Sequence, residues 1–156
     1  MTLIVDVSGD GARLPLSRSR VKDIAIGVLK SERVRDALVS ITFVSRREIA
    51  RLNRAHLGHA GATDVISFSL GQPPNPGNRR VIVGDIYIAP DVARANVARF
   101  GGGVRDELAR LVIHGTLHVL GHEHPEGPDR TASAMWKRQE RLLATLGSPS
   151  RRATPR

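Results

Sequence analysis

The sequence predicts one α/β domain of the α+β kind, a mixed sheet of about four strands packed with about five helices. Three observations lead there. Runs rich in β-branched residues intermix along the chain with runs whose apolar residues recur at helical spacing. A chain of 156 residues with 40% hydrophobic content has room for one real core and no need of a second domain. No internal repeat, coiled-coil heptad or run approaching membrane-spanning length breaks the pattern. The domain is expected over residues 1–147, followed by a basic tail, 148–156, expected to be disordered.

Residues 2–7 read as a short strand, and Gly9 to Gly11 as the turn after it. Ser17 or Ser19 then caps a helix whose stripe is Val21, Ile24, Ala25, Val28 and Leu29. Residues 38–44 are strand-like. Ser45 and Glu48 form an S-x-x-E capping box for a helix reaching roughly His56, with Ile49 and Leu52 on its buried side. After a loop at 58–62, residues 64–70 alternate as a strand, with Ile66, Phe68 and Leu70 on one face. Asp64 and Ser67 are expected to stabilise the end of that strand, helped by Thr63. Residues 71–78, with three prolines, read as a polar connector.

The next strand, residues 80–89, carries Gly84 and Asp85 at its centre, where glycine often marks close backbone approach. Pro90 suits the first turn of a helix running to Phe100, and Gly101 to Gly103 stop it. That triple glycine lacks the spacing and the lysine of a phosphate loop. A helix from about Val104 follows, then another over roughly 129–146, ended by Gly147.

Charge and composition bound the partners. The 24 Lys and Arg against 15 Asp and Glu give a formal charge of +9, nearly all of it arginine. Guanidinium forks match phosphate oxygens, so polyanions are favoured, although a solvated basic face gives the same count. Aromatic residues make up only 3%, too few for a broad base-stacking surface. There are no cysteines, hence no disulfide framework and no thiolate metal site. With no basic, apolar leader at the start and no membrane span, a soluble cytoplasmic chain is expected.

The most informative stretch is I-H-G-T-L-H-V-L-G-H-E-H, residues 113–124, which holds four of the six histidines. His114 and His118 stand four apart, so on a helix both imidazoles leave one face and can converge on one ion, as in a zincin-like metal helix. Leu111, Val112, Ile113, Leu117, Val119 and Leu120 surround the pair with apolar side chains. Buried imidazoles need partners, and a metal satisfies both. Gly121 can end the helix and turn the chain, bringing back His124 as third ligand. His122 is the rival third ligand, should the helix continue through Gly121. Three neutral nitrogens suit one Zn2+ ion and leave a fourth position for a metal-bound water, the catalytic pattern.

These motifs resemble the YbeY family of bacterial zinc-dependent endoribonucleases acting in ribosomal RNA maturation, over roughly residues 20–146. H-G-T-L-H-V-L-G-H-E-H follows the family's H-G-x-L-H-L-x-G-Y-D-H, supported by Leu52-Asn53, T-D-V-I-S-F at 63–68 and Gly84-Asp85-Ile86. The resemblance implies zinc on His114, His118 and His124, RNA as substrate, and the small ribosomal subunit and an Era-type GTPase as partners. Two departures stand out. His122-Glu123 replaces Tyr-Asp, and Leu57 stands where many members carry an arginine associated with activity, so either His56 or His59 replaces its role or catalysis is reduced.

The expected activity is therefore zinc-dependent cleavage of single-stranded RNA in ribosomal RNA maturation and ribosome quality control. The metal-bound water or the substrate's own 2′-hydroxyl is the nucleophile, and Glu123 and Asp85 are the candidate bases. Asp85 is also readable as a partner that orients an imidazole. His56, His59, Arg51 and Arg54, with Arg46 and Arg47, are candidate RNA contacts. Two alternatives remain open: a zinc-stabilised ribosome assembly factor without catalysis, and a zinc metalloprotease. The protease reading is weakened by Gly115, which occupies the position of the catalytic glutamate in H-E-x-x-H.

Overall fold

The computed structural model describes residues 1–9, 14–71 and 81–147. Strand β1 (Thr2–Gly9) leads to α1 (Arg18–Ser31), β2 (Asp36–Phe43) and α2 (Arg46–Leu52), which runs on into a π-helical turn (Asn53–Leu57). Then come β3 (Val65–Ser69), β4 (Val81–Ile88), α3 (Pro90–Phe100), α4 (Val104–Val119), a 3-10 turn (Gly127–Ala132) and α5 (Ala134–Leu146). The four strands form one sheet in the order β1-β2-β4-β3. β1, β2 and β4 are parallel, and β3 pairs antiparallel to β4 at the edge. Among the described residues, the mixed four-stranded sheet and five α-helices match the predicted architecture.

Alternation along the strands decides what each face meets. Val5, Val39, Ile41, Ile86 and Ile88 are buried on one face, under the layer formed by α1 and α4, and α5 packs on those two helices. α4 lies at the centre of this layer, packed on β3 and β4 and flanked by α1, α3 and α5. Ile113 and Leu117 are fully buried there, a burial worth about 1.5–3 kcal/mol per side chain. Its approach to the sheet is close enough to need glycines on both sides. A Cβ on Gly84 of β4 would stand 2.4 Å from Val119 Cγ1, and one on Gly115 of α4 would stand 2.7 Å from Ile86 Cγ2. The opposite sheet face carries a smaller cluster at one end, where Ile49 and Leu52 of α2 and Val92 of α3 meet Ile66. Elsewhere that face is open, with Ile4 and Leu38 nearly half exposed.

The caps follow the sequence closely. Of the two serines offered for α1 it is Ser17 whose Oγ accepts from Arg20 N–H at 3.1 Å, and Ser45 Oγ accepts from Glu48 N–H at 3.1 Å. Five elements differ in their bounds. β1 and β2 are longer than expected, because parallel pairing from Thr2↔Asp36 to Gly9↔Phe43 holds residues of weak strand propensity. The helix from Ser45 does reach Leu57, but its last turn is π rather than α and ends at Gly58, φ 68°. Leu70 does not join the buried face of Ile66; it lies past the end of β3 and is 56% exposed. The predicted helix over 129–146 is two elements, since Ser133 interrupts it and caps α5 by accepting from Trp136 N–H. Most of the turn from Gly9, the proline-rich connector after Gly71 and the tail from Ser148 lie outside the described residues.

Candidate metal centre

The end of α4 builds the site. Gly121 adopts φ 99°, its N–H bonds the His118 carbonyl at 3.0 Å, and His122 N–H bonds the Leu117 carbonyl at 3.0 Å. This paired closure is a Schellman motif, and it stops the helix one residue before Gly121. The chain folds back at that point, and His124 comes to lie beside the two helical histidines. The potential ligand atoms of His114, His118 and His124 all fall within 4.8 Å of one another.

Each of the three rings is held by the nitrogen that faces away from its neighbours. His114 Nδ1–H donates to Gln139 Oε1 at 2.6 Å, His118 Nδ1–H to the His122 carbonyl at 2.8 Å, and His124 Nδ1–H to the Pro125 carbonyl at 3.0 Å. A carbonyl can only accept, so these bonds put the ring protons on Nδ1 and leave the Nε2 lone pairs bare. His118 Nε2 and His124 Nε2 then face each other at 3.3 Å. With no proton between them the two lone pairs repel, unless a cation sits in their angle. Two nitrogens bound at ~2.0–2.1 Å to a tetrahedral ion lie roughly 3.3–3.4 Å apart, so the donor set fits such an ion.

Electrostatics point the same way. Burial pushes the His114 pKa down to about 4, and the charges of His118, Arg130 and His124 add to the effect, so the ring is neutral at pH 7. Burial lowers His118 as well. Neutral imidazoles are the form that ligates, so the rings need not lose protons first.

His122 takes a different path. Because α4 has ended, its side chain leaves the cluster and its Nε2 meets Glu32 Oε1 at 2.7 Å. Arg138 Nε donates to the other oxygen of Glu32 at 2.7 Å. Burial would raise the Glu32 carboxyl, but the hydrogen bonds from Arg138 and His122 outweigh it and hold the pKa below the usual range. His122 thus ties the ligand loop to α1 and α5, and among the described residues it is not part of the three-histidine cluster.

Other expected site residues are more scattered. Glu123 is exposed on the loop between the second and third histidines, and its charge acts on His118. Asp85 is not brought to the histidines. Gly84 faces α4, so alternation turns Asp85 to the other side of the sheet, where it accepts from Ser40 Oγ at 2.6 Å. This placement does not support the expected role of Asp85 as base or imidazole partner. His56 packs edge-on against Phe68, ring centroids 5.5 Å apart, and Phe68 pairs directly with Asp85 on that same far face. His59 and Arg54 are exposed nearby, and Arg51 is held by Glu48 at 2.6 Å.

Sequence reasoning missed Gln139, Glu32 and Arg130. Gln139 is 1% exposed and lies on the buried stripe of α5 between Met135 and Leu142. A polar residue on an apolar stripe was the available signal. Its Nε2 donates to Glu140, which Arg110 of α4 grips at 2.9 and 3.2 Å, so the amide is oriented from behind.

Fold and site together define an α/β protein with a three-histidine centre, able to hold a metal, at the end of its central helix. The chain belongs to the YbeY family: the family model described as Endoribonuclease YbeY matches residues 12–147. A protein of Syntrophus aciditrophicus named Endoribonuclease YbeY is 31% identical over 150 residues, covering 96% of this chain and 94% of its own length. One of the same name from Chlorobium phaeobacteroides is 40% identical over 115 residues, 74% of this chain and 77% of its own. In fold, the chain is similar to TM1509 from Thermotoga maritima, whose structure was determined in solution. The TM-score is 0.63 at 24% identity, over 96% of this chain and 93% of that one.

Proposed function

We propose that this chain is a zinc-dependent endoribonuclease that cuts single-stranded RNA in ribosomal RNA maturation and quality control, with one zinc ion held by His114, His118 and His124. The observation that carries the reading is the commitment of all three Nδ1–H groups to acceptors, which leaves three Nε2 atoms for one ion. The name shared by its relatives supports RNA as the substrate. When bound, zinc supplies Lewis acidity toward a phosphoryl oxygen and a nucleophile available at neutral pH.

The chain's own residues do the rest. Gln139 and the two backbone carbonyls hold the imidazoles in the ligating tautomer. Glu123, exposed on the ligand loop, is the side chain we assign to proton transfer. The net charge of +9 draws an RNA backbone toward the protein, and Arg54 and His59 are its candidate contacts on the exposed arm after α2. The small ribosomal subunit and an Era-type GTPase are the partners this reading implies, with the cytoplasm as its place. No helix among the described residues is long and apolar enough to cross a membrane.

A second reading has one observation in its favour. Leu57, 47% exposed, puts an apolar side chain where the family pattern has an arginine, as a non-catalytic assembly factor would tolerate. The protease reading has none, because Gly115 faces Ile86 of the sheet rather than the cluster. One experiment separates them: metal analysis of the purified protein, then incubation of the zinc-loaded chain with single-stranded ribosomal RNA and with casein, with and without chelator. RNA cleavage that chelator abolishes and His114→Ala lacks is expected. Intact RNA with full zinc occupancy would leave the assembly-factor reading, and chelator-sensitive casein cleavage the protease.

A further inference from the structure

Next to the metal centre is a cavity that the mechanism does not use. It measures about 460 Å³, within the range of small-ligand sites, and lies between the end of α3, the start of α4 and the 3-10 turn before α5. Its polar lining comes from Asp64, Asn96, Glu107 and Arg130, and its flat wall from Trp136. We propose that this cavity is the subsite for one unpaired nucleobase, guanine by preference, of the RNA strand presented to the three-histidine centre. The inference rests on the ribonuclease reading for its substrate and adds to it a base specificity.

The chemistry of the lining selects a base over other ligands. Trp136 offers a flat indole surface on which a base stacks, and Arg130, its Cζ 5.6 Å from the ring centroid, stands close by as a hydrogen-bond donor. Among the described residues Arg130 Nε is buried without an acceptor, and the guanidinium that carries it lines the cavity. A bare phosphate would meet that group but would also face the carboxyls of Asp64 and Glu107. A simple cation would meet the carboxyls but face Arg130. Guanine satisfies both, because O6 and N7 accept from a guanidinium while its N1–H and 2-amino group donate to a carboxylate. Asp64 is held in place on the cavity wall: Asn96 Nδ2 donates to it at 3.2 Å, the backbone N–H groups of Asp64 and Val65 bond it as well, and burial nevertheless raises its pKa. Uracil, with a single N–H between two carbonyls, matches this lining worst.

The position fits a strand running to the metal site. Glu107 and His114 are seven residues apart on α4, a rise of about 10 Å at 1.5 Å per residue. Trp136 and Gln139 repeat the relation on α5, one turn apart, the first lining the cavity and the second holding His114. Arg130 lies between, near enough that its charge acts on Asp64, His114 and His118.

Trp136 is the chain's single tryptophan, so the cavity carries its own reporter. Metal-free protein would be titrated with guanosine, adenosine, cytidine, uridine and inorganic phosphate while Trp136 fluorescence is followed. A saturable guanosine response, tighter than that of uridine by about 10-fold or more, is expected, with no response to phosphate. Asp64→Asn should weaken guanosine by a similar factor and leave zinc uptake unchanged. Should Asp64→Asn fail to fold, Arg130→Gln, on the 3-10 turn, serves the same purpose and should also weaken guanosine. No nucleoside response, equal responses to all four, a response to phosphate alone, or variants that bind guanosine like the parent would each overturn the proposal. These readouts need neither zinc nor cleavage, so failure here is distinguishable from failure of the ribonuclease reading.

Discussion

His114 Nδ1 and Gln139 Oε1 lie 2.6 Å apart across the interface of α4 and α5, and both side chains are almost wholly buried. Removing the amide leaves a buried ring N–H without an acceptor, at a cost of about 1–3 kcal/mol, and frees the ring to change tautomer. Gln139→Leu should therefore weaken zinc binding by about 10- to 100-fold in a chelator competition, with the three ligands intact. Unchanged zinc affinity would show that His114 is oriented by packing alone.

Substitution tests the proposed ligand set against its rival. His114→Ala, His118→Ala and His124→Ala should each lose zinc by more than the ~100-fold upper range for outer partners. His122→Ala should retain it, because that ring is spent on Glu32 at 2.7 Å. Zinc loss in His122→Ala comparable to that in the other three would put the fourth histidine in the coordination sphere.

Acid should unfold the metal-free protein earlier than its carboxylates require. The His114 pKa lies near 4 in the folded chain against 6.5 when free, so between these values the unfolded chain binds more protons. Stability is then intact above about pH 6.5 and falls as pH drops toward 4. Urea midpoints at pH 7, 5.5 and 4.5, in chelator, should fall more steeply for the parent than for His114→Gln. Parallel slopes would show that His114 is not buried as a neutral base.

Packing at the strand–helix crossing gives a prediction free of metal. A Cβ on Gly84 would sit 2.4 and 2.7 Å from the two Cγ atoms of Val119 and 3.0 Å from the Phe68 carbonyl. Val119 is buried next to His118, so the end of α4 must lift. Gly84→Ala should cost about 1–3 kcal/mol in urea unfolding and also reduce zinc affinity. Parent-like behaviour on both counts would show that α4 accommodates the methyl group without moving.

Glu32 anchors the ligand loop through His122 while bonded to Arg138. Glu32→Ala should leave Arg138 without its carboxylate and loosen residues 121–124, seen as faster amide exchange in that loop. Exchange unchanged from the parent would mean that the Schellman closure at Gly121 suffices.

Local chemistry wrote much of this molecule in plain sequence. The i, i+4 histidines, the glycine that ends their helix, the serine caps and the apolar stripes act over a few residues, and each reads the same in isolation as in the fold. So do the order of elements and the motifs that mark the family. Distances between segments are a different matter. That His122 turns to Glu32, that Asp85 faces Ser40 across the sheet from the histidines, and that Gln139 completes His114 depend on which faces of α1, α4, α5 and β4 meet. Those faces are set by burial of the whole core at once. Hydrophobic burial has no direction of its own, so the chain announces which residues go inside, and only the assembled layers decide which polar groups find each other there.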